Sequence, residues 1–423
     1  MFSRRILVLS LALAGFVVFA GSALGADRYA SPTGSGTACT QEAPCPLATA
    51  IGSAVAGDEV FALADQGDYR LGSGIQGTVP IHSVNGRARL IFSSGGLRLV
   101  AGSAENLYVQ SDSDDTAFAL DRAAATATGI IARSGFTGHA CYVKDATLVN
   151  TICWAGSTGD YGIELDGSST LRNVTAVGGT VTAILALGRD RCGCVAVTDT
   201  FVNVIARASA TGKDLIGESQ DGVRLTIDIT HSSYATTQTR GDASRVVIDG
   251  DATNQTAAPL FVDATAGNFH QLPGSPTIDA GVTDPANGAA DVDGEPRTVG
   301  SSTDIGADEW IPPFPGVTLA NQTARVKGRF APIRIGCPAE TMSRCEGSLV
   351  LTGRSAGKAF RAGRGDFRID AGTTALIDVR ISAKALKLLG TGKTLRTDAV
   401  VTAQDDLGTA ATSSATIRLT RRP

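Results

Sequence analysis

A short strand-like phrase returns four times in the middle of this chain and constrains its fold more than any other feature. Each copy places one polar residue between apolar, mostly β-branched neighbours, at successive intervals of 23, 30 and 25 residues. The polar residues are Asn150, Asn173, Asn203 and Asp228. A looser copy puts Gly129 another 21 residues upstream. A repeat of about 20 to 30 residues that carries one strand phrase is typical of a β-solenoid.

The polar residue in each phrase has a physical explanation. At a turn between two faces of a coil, Asn adopts the left-handed conformation that β-branched residues avoid. Stacked amides of successive coils can then hydrogen-bond along the solenoid axis. We therefore predict a structural ladder of Asn150, Asn173, Asn203 and Asp228 beside a dry, apolar interior. With strands about 4.8 Å apart, some ten coils would form a rod about 50 Å long.

Residues 1–25 have the pattern of a secretory signal peptide. A basic start at Arg4 and Arg5 precedes an apolar run over 6–20, and the small residues Ala23 and Gly25 flank Leu24 where a signal peptidase would cleave. The run is too short for a retained membrane span. The paired arginines would also suit a twin-arginine signal, but the strongly apolar run favours the ordinary secretory route. We predict a secreted or cell-surface protein that begins near Ala26 and has no transmembrane anchor after cleavage.

Eight cysteines lie in the exported part, where an oxidising compartment favours disulfides. Two pairs are close in sequence, and we predict disulfides between Cys39 and Cys45 and between Cys337 and Cys345. The other four allow three pairings, which the sequence leaves open: Cys141, Cys153, Cys192 and Cys194. Cys192-Gly193-Cys194 superficially matches a metal or redox motif, but the scattered histidines supply no matching ligands, so a structural role is favoured.

The segment over 27–70 has the features of a cap on the first coil. The stretch YASPTGSGTACTQEAPCPLATAI, followed by GDEVFAL, resembles the mature N-termini of secreted right-handed parallel β-helix proteins. Leu47, Ile51 and Val55 stand at helical spacing, which predicts a short amphipathic helix. Such a helix would cover the exposed strand edge of the first coil.

Residues 259–310 carry a more specific resemblance. PLFVDATAGNFHQLPGSPTIDAG and DVDGEPRTVGSSTDIGADEW resemble the closing elements of β-helix proteins of the "choice-of-anchor Q" type. A Pro-rich linker follows at 311–316, and 317–423 alternates apolar and polar residues like an immunoglobulin-like accessory domain. The resemblance implies an all-β chain: a right-handed parallel β-helix of the pectate-lyase-like superfold over 26–310, then a small Ig-like β-sandwich.

The charges of the chain are distributed unevenly. Residues 1–314 hold 19 basic and 33 acidic residues, a net charge of −14, whereas 315–423 hold 18 and 8, a net charge of +10. A basic C-terminal domain would suit an anionic partner such as a cell-wall polymer. The alternative is that the charges only keep two domains soluble.

The resemblance to pectate-lyase-like proteins raises the question of catalysis. Lyases of that superfold hold calcium on clustered carboxylates, and its hydrolases use several aspartates as acid and base. The predicted solenoid has two lysines, Lys144 and Lys213, neither in a lyase motif, and Gly138-His139-Ala140 matches the hydrolase motif only in part. No catalytic, cofactor or metal residue is therefore predicted.

Acidic residues cluster at two places where calcium or a sugar would find oxygen ligands. The clusters are Asp112, Asp114 and Asp115, and then Asp160, Glu164 and Asp166. Solvated turns explain both equally well, so calcium is kept only as an alternative to no cofactor. The stretch 291–296 starts like a calcium loop but has Pro296 where Gly is required. The acidic residues around it are predicted to shape turns: Asp293, Asp304, Asp308 and Glu309. The lone histidines His139 and His231 are predicted to be structural.

Three functions are compatible with these patterns. We favour a monomeric, non-catalytic protein that binds extracellular or cell-wall polysaccharide, or acts as an adhesin or envelope component. An unfamiliar polysaccharide lyase or glycoside hydrolase is the second, and three or more carboxylates with an Arg or Lys on one solenoid face would favour it. Asp145 with Asp166, and Arg172 with Arg207, are the pairs to inspect. A structural surface protein without a ligand is the third. Nucleic acid is not expected, because basic and aromatic residues are not interleaved.

Overall fold

The computed structural model describes residues 25–135, 137–156, 161–189, 195–339, 341, 344–390, 392–406 and 408–421. These form two compact units. The first holds the described residues up to His270 with Ser275–Thr298 and Ser302–Asp308, and the second holds Gln271–Gly274, Val299–Ser301 and those from Glu309 onward. No helix in the described ranges is long and apolar enough to cross a membrane. The predicted bounds of cap, closing segment, linker and sandwich stay predictions.

The first unit is a parallel β-helix, as predicted, and its strands are short. In chain order they are β1 (Asp27–Ala30), β2 (Glu59–Leu63), β3 (Tyr69–Leu71), β4 (Ile75–Gly77), β5 (Ile81–Val84), β6 (Ala88–Phe92), β7 (Leu97–Leu99), β8 (Ser103–Glu105), β9 (Leu107–Ser111), β10 (Phe118–Asp121), β11 (Thr126–Thr128), β12 (Ile131–Ser134), β13 (Cys141–Lys144), β14 (Thr147–Ala155), β15 (Tyr161–Asp166), β16 (Thr170–Val177), β17 (Thr182–Gly188), β18 (Ala196–Arg207), β19 (Lys213–Ser219), β20 (Arg224–Thr230), β21 (Thr237–Gly241) and β22 (Val246–Gly250). A separate two-stranded sheet pairs β23 (Phe261–Asp263) with β24 (Asn268–Gln271).

The solenoid strands stack in parallel along three lines. The first arm has the order β1-β2-β5-β8-β11-β14-β16-β18-β20-β22, and the second arm has the order β3-β6-β9-β12-β14-β16-β18. The arms belong to one sheet because β14, β16 and β18 continue through the corner between them. The third sheet has the order β21-β19-β17-β15-β13-β10-β7-β4. The seven coils that begin with β2, β5, β8, β11, β14, β16 and β18 therefore contribute to all three lines.

Inward-facing side chains stack into apolar columns. In the first arm, one column follows the strand register through fully or nearly fully buried residues: Val60, Ile81, Ala104, Ala127, Leu148, Leu171, Phe201 and Ile229. The third sheet supplies a facing column that includes Leu97, Phe118, Ile163, Ile184 and Leu215. Burial of these apolar columns is the main force that holds the coils together.

The N-terminal helix is shorter than predicted. Helix α1 (Leu47–Gly52) buries Leu47 and Ile51 against the solenoid core. Val55 lies beyond its end and is 64 % exposed, so its predicted place on the apolar helix face was wrong. The chain leaves the helix at Gly52 and Ser53, where the Ser53 amide donates back to the Thr49 carbonyl. Short 3-10 turns lie at Ala64–Gln66, Ala243–Arg245, Ala264–Ala266 and Pro285–Asn287.

The asparagines of the repeated phrase stand at the corner between the two arms. Asn150, Asn173 and Asn203 have φ values of 47°, 52° and 56°, in the left-handed region. Asn173 Nδ2 donates to Asn150 Oδ1 at 3.0 Å, and Asn203 Nδ2 donates to Asn173 Oδ1 at 2.9 Å. Gly129 takes the same conformation one coil earlier, with φ 65°.

The predicted place of Asp228 in this ladder was wrong. Asp228 pairs with Thr200, and its side chain is exposed. The left-handed corner residue of that coil is His231, three residues later, with φ 47°. The sequence phrase matches the earlier copies, but the strand register places its polar residue before the corner.

Residues 275–298 and 302–308, which we call the strap, run along the corner and bind its polar groups. Asn150 Nδ2 donates to the carbonyls of Asn287 and Ala290 at 2.9 and 2.8 Å. Asn203 Nδ2 donates to the Val282 carbonyl at 3.0 Å, and the Gly306 amide donates to the Asn203 carbonyl at 2.9 Å. The strap therefore covers the ladder along the flank of the solenoid.

Strap residues and Phe269 of β24 also pack on the second arm. Phe269, Val292 and Ala307 form a small buried cluster with Ile152. The Ala307 amide donates to Thr175 Oγ1 at 3.0 Å. A second, smaller apolar core thus lies on the outward face of the second arm.

A buried arginine stabilises the irregular backbone of the strap by hydrogen bonds to its carbonyls. The Arg297 side chain is 1 % exposed. Its guanidinium donates to the carbonyls of Ala307 at 2.8 Å, Asp304 at 2.8 Å and Gly306 at 3.0 Å. Because buried carbonyls need donors, this arginine replaces the strand partners that an irregular segment lacks.

The second unit is a seven-stranded, sandwich-like sheet. Its strands are β25 (Gln322–Arg325), β26 (Phe330–Gly336), β27 (Arg344–Ser355), β28 (Lys358–Asp370), β29 (Thr374–Ile381), β30 (Thr394–Gln404) and β31 (Ala410–Thr420), in the order β25-β31-β30-β27-β28-β29-β26. All neighbours are antiparallel except β25 and β31. Gln322 exchanges two hydrogen bonds with the Arg334 backbone and so joins the two edge strands.

The interior of this sheet follows from strict alternation along its strands. Every second residue of β30 is buried from Thr397 to Ala403, and an apolar core includes Ile333, Leu349, Val379 and Val401. Helix α2 (Ala383–Leu389) adds Ala385 and Leu389 to that core. This sandwich-like sheet agrees with the predicted all-β fold class of the C-terminal part.

Three disulfides lie in the described ranges. Cys39 pairs with Cys45 and Cys337 with Cys345, as predicted. Cys141 pairs with Cys153, a choice that the sequence left open. Both are buried, so this bond crosses the solenoid interior from the third sheet to the second arm. Cys192 and Cys194 lie outside the described residues.

Candidate functional site

The outward face of the third sheet carries an open groove of about 510 Å³. Strand register places one outward residue from each of five successive coils in a row: Gln76, Arg98, Ala119, Tyr142 and Glu164. At the usual strand spacing this row is about 19 Å long. We call this surface the third-sheet groove.

The smallest side chain of the row, that of Ala119, stands in its middle. Arg98 and Tyr142 stand on either side of it, in the neighbouring coils. Glycine turns border the groove at one side, where Gly74 stacks on Gly96. A side chain at Gly96 would collide with the Ala117 carbonyl at 2.1 Å, so the close stacking of these turns requires glycine.

An ion-pair network lies at the C-terminal end of the groove. Glu164 accepts a hydrogen bond from Arg189 Nη2 at 2.6 Å and lies 3.3 Å from His139 Nδ1. Tyr161 packs edge-on against the His139 ring, with 4.6 Å between centroids. His139, predicted to be structural, therefore lines the groove beside a carboxylate.

A second carboxylate continues this network. Asp166, 1 % exposed at its side chain, accepts a hydrogen bond from the Tyr142 hydroxyl at 3.1 Å. Arg189 Nε lies 3.8 Å from the other Asp166 oxygen. His139, Tyr142 and Glu164 of this network line the groove, and Asp166 and Arg189 support them from behind it. Arg98 also forms an ion pair with Asp121 on this face.

Asp145 and Asp166, an acidic pair suggested by the sequence, lie in adjacent coils but do not form one site. The Asp145 carboxylate accepts from the Ser168 amide at 2.9 Å, whereas Asp166 faces the groove network. Asp199 of the following coil is fully buried and accepts from the Ser169 amide at 2.9 Å. Burial raises the pKa of Asp199 well above its usual value, and the charges of Asp145 and Asp166 raise it further.

Arg172 and Arg207, the basic pair suggested by the sequence, are not neighbours across the coils. Arg172 is in register with Val202, and its Nη1 donates to Asn287 Oδ1 at 3.0 Å. Arg207 pairs with Asp214 at 3.2 Å and also donates to backbone carbonyls. Burial lowers the pKa of Arg207, and Asp214 opposes that change. The side chains of both arginines are therefore engaged in hydrogen bonds or ion pairs within the protein.

The first acidic cluster shapes the loop at the groove rim. Asp115 accepts from the Gly95 amide at 2.7 Å and from the Ser113 hydroxyl at 2.8 Å. These hydrogen bonds lower the pKa of Asp115, the Gly95 amide most strongly. Asp114 accepts from the Thr137 hydroxyl at 2.9 Å. Of the second predicted cluster, Glu164 and Asp166 belong to the network above, and Asp160 lies outside the described residues.

The sequence did not predict a second polar cluster, in which His270 meets two aspartates of the strap. His270 Nε2 lies 3.0 Å from Asp293 Oδ2 and 3.9 Å from Asp308 Oδ1. One ligand atom from each residue falls within 4.8 Å of the others, so the three could together hold a metal ion. The hydrogen bond to Asp293 is the largest of the effects that raise the pKa of His270 to about 9. A protonated His270 bridging two carboxylates explains the cluster without an ion.

Other acidic residues of the strap shape its turns. Asp291 Oδ1 accepts from the amides of Asp293 and Glu295, both at 2.9 Å. Asp304 Oδ1 accepts from the Asp279 amide at 2.7 Å. No short spacing motif joins His270 to Asp293 or Asp308, so only the path of the strap brings them together.

Comparison of the chain with protein-family models and with curated proteins gives no match. Inferences about function therefore rest on the groove and on the charge distribution.

Proposed function

We propose that this protein binds an extended extracellular polysaccharide in the third-sheet groove. The observation that carries the proposal is the row from Gln76 to Glu164, which crosses five coils and places an aromatic ring among hydrogen-bonding side chains. A sugar chain presents hydroxyl groups that need donors and acceptors, and C–H faces that pack on aromatic rings. An open groove also admits a polymer that is longer than the site.

Export to the cell surface or medium is part of this proposal. The disulfides Cys39–Cys45, Cys141–Cys153 and Cys337–Cys345 support an oxidising compartment. The signal-like residues 1–24 lie outside the described residues. Membership of the pectate-lyase-like or "choice-of-anchor Q" proteins is also a proposal, supported by the resemblance of 259–310 and by the parallel β-helix.

Cleavage of the bound polysaccharide is the second candidate function. Three carboxylates, Asp121, Glu164 and Asp166, share the third-sheet face with Arg189, which is the pattern that would favour an enzyme. Carboxylates and a tyrosine are also side chains that donate and accept protons in such reactions. Binding alone needs no proton transfer, so the two candidates differ in whether product is formed.

The test is affinity electrophoresis of the protein through gels that contain soluble polysaccharides, with parallel assays for new reducing or unsaturated ends. We expect at least one polysaccharide to retard the protein. Tyr142→Ala should weaken that binding by about tenfold or more, because it removes the only aromatic ring of the central row.

Tyr108→Ala is the matched control. Tyr108 lies on β9 of the second arm, outside the groove, and Arg89 packs over its ring at 4.6 Å. This change should leave retardation within about twofold of the unchanged protein. Equal effects of both substitutions, or no retardation by any polysaccharide, would contradict the proposed site. Product released by the unchanged protein but not by Glu164→Gln would establish cleavage.

A further inference from the structure

The second unit carries a strong positive charge that the third-sheet groove does not use. Residues 315–423 hold 18 basic against 8 acidic residues. Several of these cations are gathered around one surface cleft of about 640 Å³. The cleft is lined by Arg329, Arg361, Arg364 and Arg380, and we call it the arginine cleft.

The arrangement of these arginines is unfavourable in the isolated protein. Arg364 on β28 lies directly opposite Arg380 on β29. Like charges opposite one another on antiparallel strands repel and destabilise a sheet. Among the described residues, only Arg364 of the four has a carboxylate within ion-pair distance, Asp366 at 3.1 Å. Arg329, Arg361 and Arg380 are therefore available to an external anion.

Arginine favours a particular class of anion. Its planar guanidinium donates two parallel hydrogen bonds to carboxylate, sulfate or phosphate groups. Several arginines spread over a cleft suit a chain that repeats such groups better than they suit a single small ion. Electrostatic attraction to a polyanion would also offset the repulsion between Arg364 and Arg380.

An exposed aromatic ring next to Arg380 points to a sugar backbone. Phe330 lies opposite Arg380 in the strand register and is 48 % exposed. Phe360 precedes Arg361 and carries the Lys384 ammonium 4.5 Å above its ring. An exposed ring next to cations can pack on the apolar face of a sugar while the cations bind its anionic groups.

We infer that the arginine cleft is a binding site for a polyanionic polysaccharide. The residues of this site belong to the second unit, whereas those of the third-sheet groove belong to the first. The inference stands whether or not the groove binds a polysaccharide.

The test measures binding of the full chain to dextran sulfate, with neutral dextran as the uncharged comparison. Dextran sulfate should bind and dextran should not bind at this site. Affinity should fall between about 50 and 300 mM salt, because screening weakens exposed charge interactions. The double substitution Arg361→Ala/Arg380→Ala should weaken binding at least about tenfold, since each arginine supplies charge-assisted hydrogen bonds.

Arg325→Ala/Arg368→Ala is the matched control. Arg325 lies on β25 and Arg368, which forms an ion pair with Glu346, lies on β28; neither lines the cleft, and their removal changes the net charge equally. We expect less than about a threefold effect from this control. Unchanged thermal unfolding of both variants would show that the sheet still folds.

Three results would overturn the inference. They are no binding of dextran sulfate, equal losses in both double variants, and tighter binding of duplex DNA than of dextran sulfate. Tyr142→Ala should leave dextran sulfate binding unchanged, which separates this site from the groove. Loss of dextran sulfate binding in Tyr142→Ala alone would assign the polyanion to the groove instead.

Discussion

Polar side chains are buried on one flank of the solenoid and open to solvent on another. At the corner between the arms, Asn150, Asn173 and Asn203 are buried and hydrogen-bonded to the strap or to one another. On the third sheet, polar residues line an open groove, where Tyr142 and Glu164 stand in adjacent coils. The coils repeat on both faces, whereas the strap covers only one. The repeated sequence thus places rows of side chains, and a non-repeated segment determines which row is buried.

The strongest challenge to this comparison is the same substitution on both faces. Arg297→Met in the strap should lower the free energy of unfolding by about 4 kcal/mol, because three buried carbonyls lose a charged donor. Arg98→Met on the open face removes an exposed ion pair with Asp121 and should cost less than about 1 kcal/mol. Urea denaturation measures both. Similar costs would show that the strap contributes no more to stability than a surface ion pair.

A second pair of substitutions distinguishes the stability that comes from the amide hydrogen bonds of the ladder from that of its left-handed backbone conformation. Asn173→Ala should cost about 3 kcal/mol, because it strands hydrogen-bonding groups of Asn150, Asn203 and the strap. Asn85 has a similar φ of 62° but is exposed, so Asn85→Ala should cost only about 1 kcal/mol of backbone strain. Thermal unfolding compares the two. Equal costs would mean that the left-handed backbone, and not the amide ladder, stabilises the corner.

The smallest expected effect concerns pH at the strap. The pKa of His270 is raised to about 9, mainly by its hydrogen bond to Asp293, with further attraction from Asp308 and Glu295. Because the folded pKa exceeds the unfolded value of about 6.5, this stabilisation is full below pH 6.5 and is lost as pH rises through 9. Since the side chain is half exposed, we expect about 1 kcal/mol or less.

His270→Gln tests this expectation. Unfolding of the unchanged protein and of the variant would be compared at about pH 6 and pH 9.5. The difference between the two proteins should be present at the lower pH and absent at the higher one. An equal difference at both values would mean that His270 contributes by packing and not by its charge.

The repeated phrase predicted the fold because coil stacking is a local, periodic requirement. Asn150, Asn173 and Asn203 were placed correctly at left-handed turns, since few residue types tolerate that conformation. Asp228 was misplaced because register depends on a neighbouring coil, and a matching phrase does not reveal a shift of three residues.

The candidate sites depended on information that the repeat does not contain. Glu164 and Asp166 were noticed as acidic residues, but Arg189, which pairs with both, stands in a stretch without a recognisable motif. His270 and Asp293 meet only because the strap doubles back along the solenoid. The excess of basic residues after 314 was compatible with an anionic partner or with a role in solubility alone, and only the strand register shows that Arg364 and Arg380 stand opposite each other.

The strap also determines when the corner can be completed during synthesis, because it comes late in the chain. A coil can stack on its predecessor once about 20 to 30 further residues exist. The Asn150 amide, however, must wait for a carbonyl 137 residues later in the chain, and Arg87 for one 205 residues later. During synthesis the solenoid can therefore lengthen coil by coil while the asparagine ladder at the corner is still exposed to water. The last part of the β-helix to leave the ribosome is the part that excludes water from the corner.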